Sequence, residues 1–359
     1  MAPSTQYELA QPPNDAISSL VFAPESPSRL LVSSWDKNVY LYDTQADNSS
    51  DDAAVRGSLV NTFAHHAPVM DVCFGANDDE AFSAGMDWQV LRIDLASGEQ
   101  TPVSKHGAPV RRVAYSREHS LLISASWDST LHINNPSTPS EPLTITLPGK
   151  PHALAASPSK VIVAMTSRLV HIYDLSALAA ALSSGSAAPA PWQTRESSLK
   201  FLTRAVAAMP SDAGYATSSI EGRVAVEWFD ASAESQARKY AFKCHRQTQT
   251  SEADGAGPTD VVYPVNALTF HPHHGTFASG GGDATVALWD AAAKRRMKVY
   301  QKFPDSVAAL AFNADGRSLA VGVCPGFETG MEDYNGEGRT KIVIRELGEN
   351  EALPKGKGK

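Results

Sequence analysis

One sequence unit recurs seven times along this chain, at a spacing of roughly 40 to 60 residues. The units open at ISSLVFAP, VMDVCFGA, VRRVAYSR, PHALAASP, TRAVAAMP, VNALTFHP and VAALAFNA. Each begins with an apolar run and turns at Pro, Asp or Gly. A second run ends in small residues, a tight turn often carrying Asp follows, and a third run closes on an aromatic or aliphatic residue, usually with Asp. The runs are short, about four to eight residues, and rich in Val, Ile, Leu and Tyr, which favours strands over helices. A single small sheet of this kind cannot bury both of its faces. Several must therefore stack around an axis.

The closing segments VALWD and LVHIYD match the end of WD repeats. The expected fold is all-β, a seven-bladed WD-repeat propeller spanning residues 1–350 as one domain, with a disordered basic tail at 351–359. Two independent domains are the alternative for 359 residues, but no linker interrupts the period. The fourth strands are irregular. SLVNTFAHH follows the first unit and KRRMKVYQKF the sixth, but only ELGENEALPKGKGK remains after the seventh. The N-terminal YELAQ is therefore expected to supply the missing strand and close the ring, which removes exposed edges. Four inserts extend the template, at 46–56, 178–191, 247–258 and 325–339. They read as surface loops, the second beginning as a short helix at ALAAAL.

Composition narrows the function. A formal charge of −8 and a pI near 5.8 argue against a general nucleic-acid binder. No apolar run approaches a membrane span, and the N-terminus lacks a signal core. The three cysteines, Cys73, Cys244 and Cys324, are far apart and show no CxxC spacing. That fits a reducing compartment without disulfides or a zinc site. No P-loop, GxSxG or HExxH occurs, so neither an enzyme nor a cofactor is expected. The HPHH run at 271–274 reads as a turn rather than a metal site. KRRMK at 294–298 reads as a charged edge strand, with a nuclear-import patch as the other possibility. GGGD at 280–283 is a tight turn, since no helix follows it.

Against the acidic background, six of the basic residues between Arg195 and Arg246 lie next to runs that read as buried strands: Arg195, Lys200, Arg204, Arg223, Lys243 and Arg246. In a propeller the turn between second and third strands opens on the same face as the links between blades. Trp35, Trp88, Trp127, Arg223 and Asp283 fall in such turns. Lys200, Arg204, Lys243, His245 and Arg246 fall in or beside links. One face is thus expected to combine exposed aromatics with cations, a peptide-binding surface for anionic partners. The turn aspartates Asp36, Asp87, Asp128 and Asp283 are expected to hydrogen-bond within their own blades. His65, His66 and His106 fit a structural role before a first strand. For Arg223, an ion pair with Glu221 or Glu227 is the competing reading.

Several of these residues also carry a family resemblance. RESSLK, SSIEGRVAVEWFD, YAFKCHR and YPVNALTFHP, with SWDKN in the first unit, resemble the WD-repeat spindle-checkpoint adaptors of the Bub type, the non-kinase partners of the Bub and BubR kinases. The resemblance spans the whole chain. Phe201 and Trp228 depart from the family's usual residues but remain aromatic. The resemblance implies a nuclear, mitotically kinetochore-bound adaptor, expected to be monomeric, with no membrane or nucleic-acid partner. It implies that Trp35, Trp127 and Arg204 meet the GLEBS motif of checkpoint kinases. It implies that Arg223 and Lys243, with Arg246 nearby, hold the phosphothreonine of phosphorylated Met-Glu-Leu-Thr repeats on the kinetochore scaffold. The Rae-type mRNA-export propeller shares SIEGR and is the alternative, with a nucleoporin GLEBS motif and RNA as its ligands. The acidic chain and the RESSLK and FKCHR runs favour the checkpoint branch.

Overall fold

In the computed structural model, residues 6–45, 55–138, 140–249, 259–326 and 338–354 are described. Seven antiparallel sheets are arranged as blades. Blade one comprises Ile17–Phe22, Arg29–Ser34, Asn38–Asp43 and Ser58–Ala64. Blades two to six repeat this order from Val69–Phe74, Val110–Ser116, Pro151–Ala156, Thr203–Ala208 and Val265–Phe270. Blade seven starts at Val307–Phe312 and continues through Ser318–Val323 and Lys341–Glu346. The first strand of each blade lies beside that of the next, and blade seven lies beside blade one.

Gln6–Leu9 is the fourth strand of blade seven. It pairs antiparallel with Lys341–Glu346, setting Gln6 opposite Arg345. Alternation fixes its register: Tyr7 and Leu9 are buried while Gln6 and Glu8 are only partly covered. The Tyr7 hydroxyl donates to the Thr44 carbonyl at 2.8 Å, and Lys341 Nζ meets Glu8 at 2.8 Å.

Second strands are the deepest elements. Leu30, Leu31 and Val32 are fully covered, as are Val161, Ile162 and Val163. Each such side chain contributes about 1.5–3 kcal/mol of burial free energy. Between blades five and six the wedge is aromatic, with Trp228, Phe242 and Trp289 in one cluster and the rings of Phe242 and Trp289 centred 4.4 Å apart.

The turns are tied to the links by one bond repeated in every blade. The backbone N–H of Trp35, Met86, Trp127, Thr166, Ile220, Gly282 and Cys324 donates to the carbonyl of Ala16, Pro68, Pro109, Lys150, Leu202, Pro264 and Ser306 respectively. Second-to-third-strand turns and inter-blade links therefore lie on one face, hereafter the top. Side chains reinforce the same joint. Asp283 accepts from His245 Nδ1 at 2.8 Å, and Ser279 Oγ bonds both His245 Nε2 and Trp289 Nε1 at 2.8 Å. His106 makes the matching contacts in blade three with Thr130 and Ser124, at 3.0 and 2.8 Å.

One insert begins with the expected short helix, and another departs from the loop expectation. Leu175–Ser184 is a helix, capped by the Asp174 side chain at Ala177 N–H and ended by Gly185 in the left-handed region. Leu175 and Leu178 are fully covered in the core of blades three and four. Their spacing places both on the inward stripe, so this segment is core rather than loop. The expected loop at 247–258 begins inside a two-stranded ribbon, Arg246–Gln249 with Thr259–Val262, on the link between blades five and six. Residues 46–54, 250–258 and 327–337, and the tail from 355, lie outside the described residues.

Candidate functional site: two regions on the top face

A cavity of about 590 Å³ opens at the centre of the top face. Trp35 from blade one, Trp127 from blade three, Ile220 from blade five and Pro325 from blade seven form its apolar wall. Arg111, Arg112 and Arg204 enter it from the first strands of blades three and five. Trp35, Trp127 and Arg204, far apart in the chain, thus share one cavity. The Arg204 Nε–H donates to Asn266 Oδ1 at 3.1 Å, which fixes the guanidinium across the blade five–six boundary. Trp35 is 40% exposed, and Phe201, Leu202 and Val262 are exposed on the neighbouring links. Leaving large apolar groups in water on one face is costly for folding alone and marks a binding surface.

The second region lies at the rim, where the third and fourth strands of blade five meet the ribbon. Arg223 stands directly opposite Lys243 in the ladder. Directly opposed residues project from the same face of a sheet with Cβ atoms about 5 Å apart, and like charges there are destabilising. Lys243 is exposed and has no ion-pair partner among the described residues. Arg246 adds a third cation. Its Nη2–H donates to the Glu221 carbonyl at 2.9 Å.

Glu221 is the only carboxylate beside them among the described residues, with Oε2 lying 3.5 Å from Arg223 Nε. Satisfaction is incomplete: Glu221 Oε1, Arg223 Nε and Arg246 Nε are buried with no hydrogen-bond partner. Three buried polar atoms without partners in one cluster is uncommon in a finished fold. The turn that presents Arg223 depends on Gly222, at φ +64°, where a Cβ would lie 2.7 Å from the Cys244 carbonyl. That close approach and positive φ admit only glycine at this position.

Arg195 and His245, both from the Arg195–Arg246 stretch, belong to neither region. Arg195 lies between blades four and five, 3.3 Å from Glu227 and bonded to the Trp228 carbonyl at 2.8 Å. Its partner is the carboxylate that had been weighed for Arg223, so Arg195 is structural. His245 is buried in the Asp283–Ser279–Trp289 network beneath the link and does not reach the top surface. Conversely, Ile220, Val262 and Arg111 line the central cavity without any mark in the sequence. Five of the seven first strands carry a basic or polar residue at their second position, Met70 and Ala308 being the exceptions, and that partial pattern was the available signal for Arg111. The HPHH run sits at the first turn of blade six, where His271 Nε2 bonds the Gly316 carbonyl at 3.0 Å.

Comparison with known proteins places this geometry. The WD domain, G-beta repeat family model matches residues 5–43, 57–91, 99–135 and 259–290. The chain is 40% identical to mitotic checkpoint protein BUB3.1 of Arabidopsis thaliana, over 99% of this chain and 97% of that protein. It is 37% identical to mitotic checkpoint protein bub3 of Dictyostelium discoideum, over 92% of each. The mRNA export factor GLE2 of Chaetomium thermophilum is 30% identical over 97% of this chain. None of these relatives is named as an enzyme. The chain belongs to the Bub3 family of WD-repeat propellers, with Rae1 and the mRNA export factor GLE2 as further relatives.

Proposed function

We propose that this protein is a non-enzymatic adaptor of the spindle assembly checkpoint. Its rim region reads phosphorylated Met-Glu-Leu-Thr repeats on the kinetochore scaffold, and its central cavity holds the GLEBS motif of checkpoint kinases. By joining the two ligands it brings those kinases to kinetochores, from a nuclear pool. The names of the checkpoint relatives support the process. The division of labour between the regions is supported by their chemistry.

The observation that carries the rim assignment is the opposition of Arg223 and Lys243. Two like charges held face to face are explained if a dianion sits between them. A phosphothreonine carries about −1.5 to −2 charges and three acceptor oxygens. Arg223 and Arg246 supply directional N–H donors with unfilled bonding capacity, and Lys243 supplies a compact charge. Unphosphorylated threonine offers neither charge nor acceptors to match, so the rim discriminates by electrostatics. A net charge of −8 over the chain repels unrelated polyanions and confines attraction to this patch.

The cavity suits a different ligand. Trp35, Trp127 and Ile220 accept apolar side chains, and Arg204 accepts a carboxylate. The rigid ring loses little freedom on binding, so the ordering cost falls on the flexible peptide.

Replacing Arg223 and Lys243 together by Ala tests the rim. Fluorescence anisotropy should show a preference for the phosphorylated repeat over the plain one, at least tenfold in the parent, collapsing to none in the double variant. Equal preference in both proteins would refute the assignment. Salt-sensitive binding of single-stranded RNA at physiological ionic strength would instead favour the export branch.

A further inference from the structure

Two of the seven blades carry the same four-residue motif at the same place. Ser26-Pro27-Ser28-Arg29 in blade one and Ser157-Pro158-Ser159-Lys160 in blade four end the turn between first and second strands. In both, the basic residue opens the second strand. The chain holds four Ser-Pro or Thr-Pro pairs, and only these two have a basic residue two places beyond the proline. Because consecutive strands are antiparallel, both turns lie on the face opposite the tryptophans and the rim cations. One class of serine/threonine kinase reads this pattern. The proline, lacking an N–H, strands no donor in an apolar kinase pocket, and the cation two places on meets an anionic group of the kinase.

Each motif is held by an aspartate from the first turn of the next blade. In blade one, Asp78 accepts the Glu25 N–H at 3.2 Å and the Ser26 N–H at 2.7 Å. In blade four, Asp212 accepts the Ser157 and Ser159 hydroxyls and the Ser159 N–H. The two leading serines differ in what their hydroxyls do. Ser157 is 7% exposed, its hydroxyl is given to Asp212, and its N–H closes the turn on the Lys160 carbonyl at 2.8 Å. Ser26 is half-buried, and its oxygen accepts the Ser28 N–H at a long 3.4 Å. The Ser26 hydroxyl proton has no acceptor among the described residues. The blade-one turn is also the longer, running from Ala23 to Ser28, against Ser157 to Ser159 in blade four. Arg29 is held by Asp79 at 2.9 Å in a surface ion pair, which costs little to open.

We propose that Ser26 is a phosphorylation site for a proline-directed kinase that reads a basic residue three places after the acceptor, and that the phosphate releases the blade-one turn from Asp78. The Ser26 oxygen attacks the γ-phosphorus of the ATP that the kinase holds with Mg²⁺. The new O–P bond forms as the bond to the departing ADP breaks, and the hydroxyl proton passes to the kinase's catalytic carboxylate. The product gains about −1.5 to −2 charges, beside Glu25, Asp78 and Asp79. Arg29 and Arg117 already serve Asp79 and Glu25. The phosphate therefore repels the Asp78 carboxylate that holds its own residue's N–H, and the tie between blades one and two opens on this face. The turn lies away from both ligand regions, so the inference does not rest on how those regions are read.

The test uses the full chain, Mg-ATP and a purified cyclin-dependent kinase as the proline-directed probe, read by peptide mass spectrometry. Ser26 should gain a phosphate in the folded chain and Ser157 should not, although synthetic peptides of both motifs should be modified. Arg29→Gln should slow modification of Ser26 about tenfold, in the chain and in the peptide, and Arg29→Lys should restore most of it. A folded chain left unmodified at Ser26 while its peptide is modified overturns the site. Equal rates at Ser26 and Ser157 in the folded chain overturn the choice of Ser26 over its blade-four counterpart. The phosphorylated chain should melt about 1–3 °C below the unmodified one. Asp78→Asn, which removes the repelling carboxylate, should shrink that difference. An unchanged melting temperature overturns the release from Asp78. Should Asp78→Asn fold poorly, hydrogen exchange at the Ser26 amide of the parent chain carries the comparison. It should quicken after phosphorylation, and unchanged exchange overturns the release.

Discussion

The central cavity and the rim differ in where their cations are anchored. In the cavity, Arg111 and Arg204 come from the innermost strands and share the space with Trp35 and Trp127, Arg111 half-buried and Arg204 exposed. At the rim, Arg223 and Lys243 stand at the ends of the third and fourth strands of blade five, close to bulk water. An enclosed, partly apolar volume strengthens each charge contact and rewards shape. An open ledge is screened by salt and rewards multiplicity of charge. The recessed region is therefore matched to a single carboxylate flanked by apolar side chains. The ledge is matched to a dianion. Under the proposed function, the ring tells its two anionic ligands apart by the different surroundings of the two sets of cations.

The strongest perturbation should erase this contrast by loosening the ring. Deleting residues 1–12 removes the Gln6–Leu9 strand, takes the buried Tyr7 and Leu9 side chains out of the core and exposes the edge of Lys341–Glu346. A loss of about 4–6 kcal/mol is expected from two large buried side chains and a lost ladder. An unchanged melting temperature would sink the closure argument.

Acid should act next, and unevenly. Burial, then its stacked neighbour His132, holds His106 down to about 4; the two rings lie 3.7 Å apart. The unfolded chain takes up a proton near pH 6.5 that the folded one refuses until about pH 4. Stability is therefore complete above pH 6.5 and lost as pH falls between those values, by roughly 2 kcal/mol from pH 7 to pH 5. His106 bonds the joint that carries Trp127, so the cavity should weaken before the rim. Urea titrations at the two pH values, with His106→Asn as the flattened control, measure this.

Smaller effects sharpen the division. Trp35→Ala with Trp127→Ala should cost the GLEBS-type peptide about 2 kcal/mol and leave the phosphorylated repeat unchanged in calorimetry. A matching loss for both ligands would merge the two regions into one. Glu221→Gln removes the internal counter-ion of Arg223 and should raise affinity for the phosphorylated repeat a few-fold. A fall in affinity would mean that Glu221 orients the guanidinium instead of competing for it.

Much of this architecture is legible in the sequence because a propeller is periodic. Strand runs, turn aspartates and the closing WD-like segments recur, so turns and links can be assigned to one face before any coordinates are known. Trp35, Trp127 and Arg204 follow from that placement. What does not repeat is harder to read. Arg195 looks like a ligand cation until Glu227, 32 residues on, takes it into the wedge between blades. His245 looks exposed until Asp283, 38 residues on, pulls it under the link. Arg111 reaches the cavity at a bulge in its strand, and a bulge has no composition of its own. The ALAAAL run reads as a short helix, but nothing in its composition shows that Leu175 and Leu178 pack into the core of blades three and four.

The pairing of Gln6–Leu9 with Lys341–Glu346 also bears on how the protein is made. Lys341 and Glu8 are 333 residues apart in the chain. On a ribosome the strand that closes the ring emerges long before Lys341–Glu346, and that edge must wait until the rest has been synthesised. Six blades can form progressively from near neighbours, but the circle locks in a single late step. Such long-range closure is slow and leaves an apolar edge uncovered in the interval. The seam in blade seven is thus the place where a chaperone has most to protect, and where a prematurely ended chain would betray itself by an edge that never finds its partner.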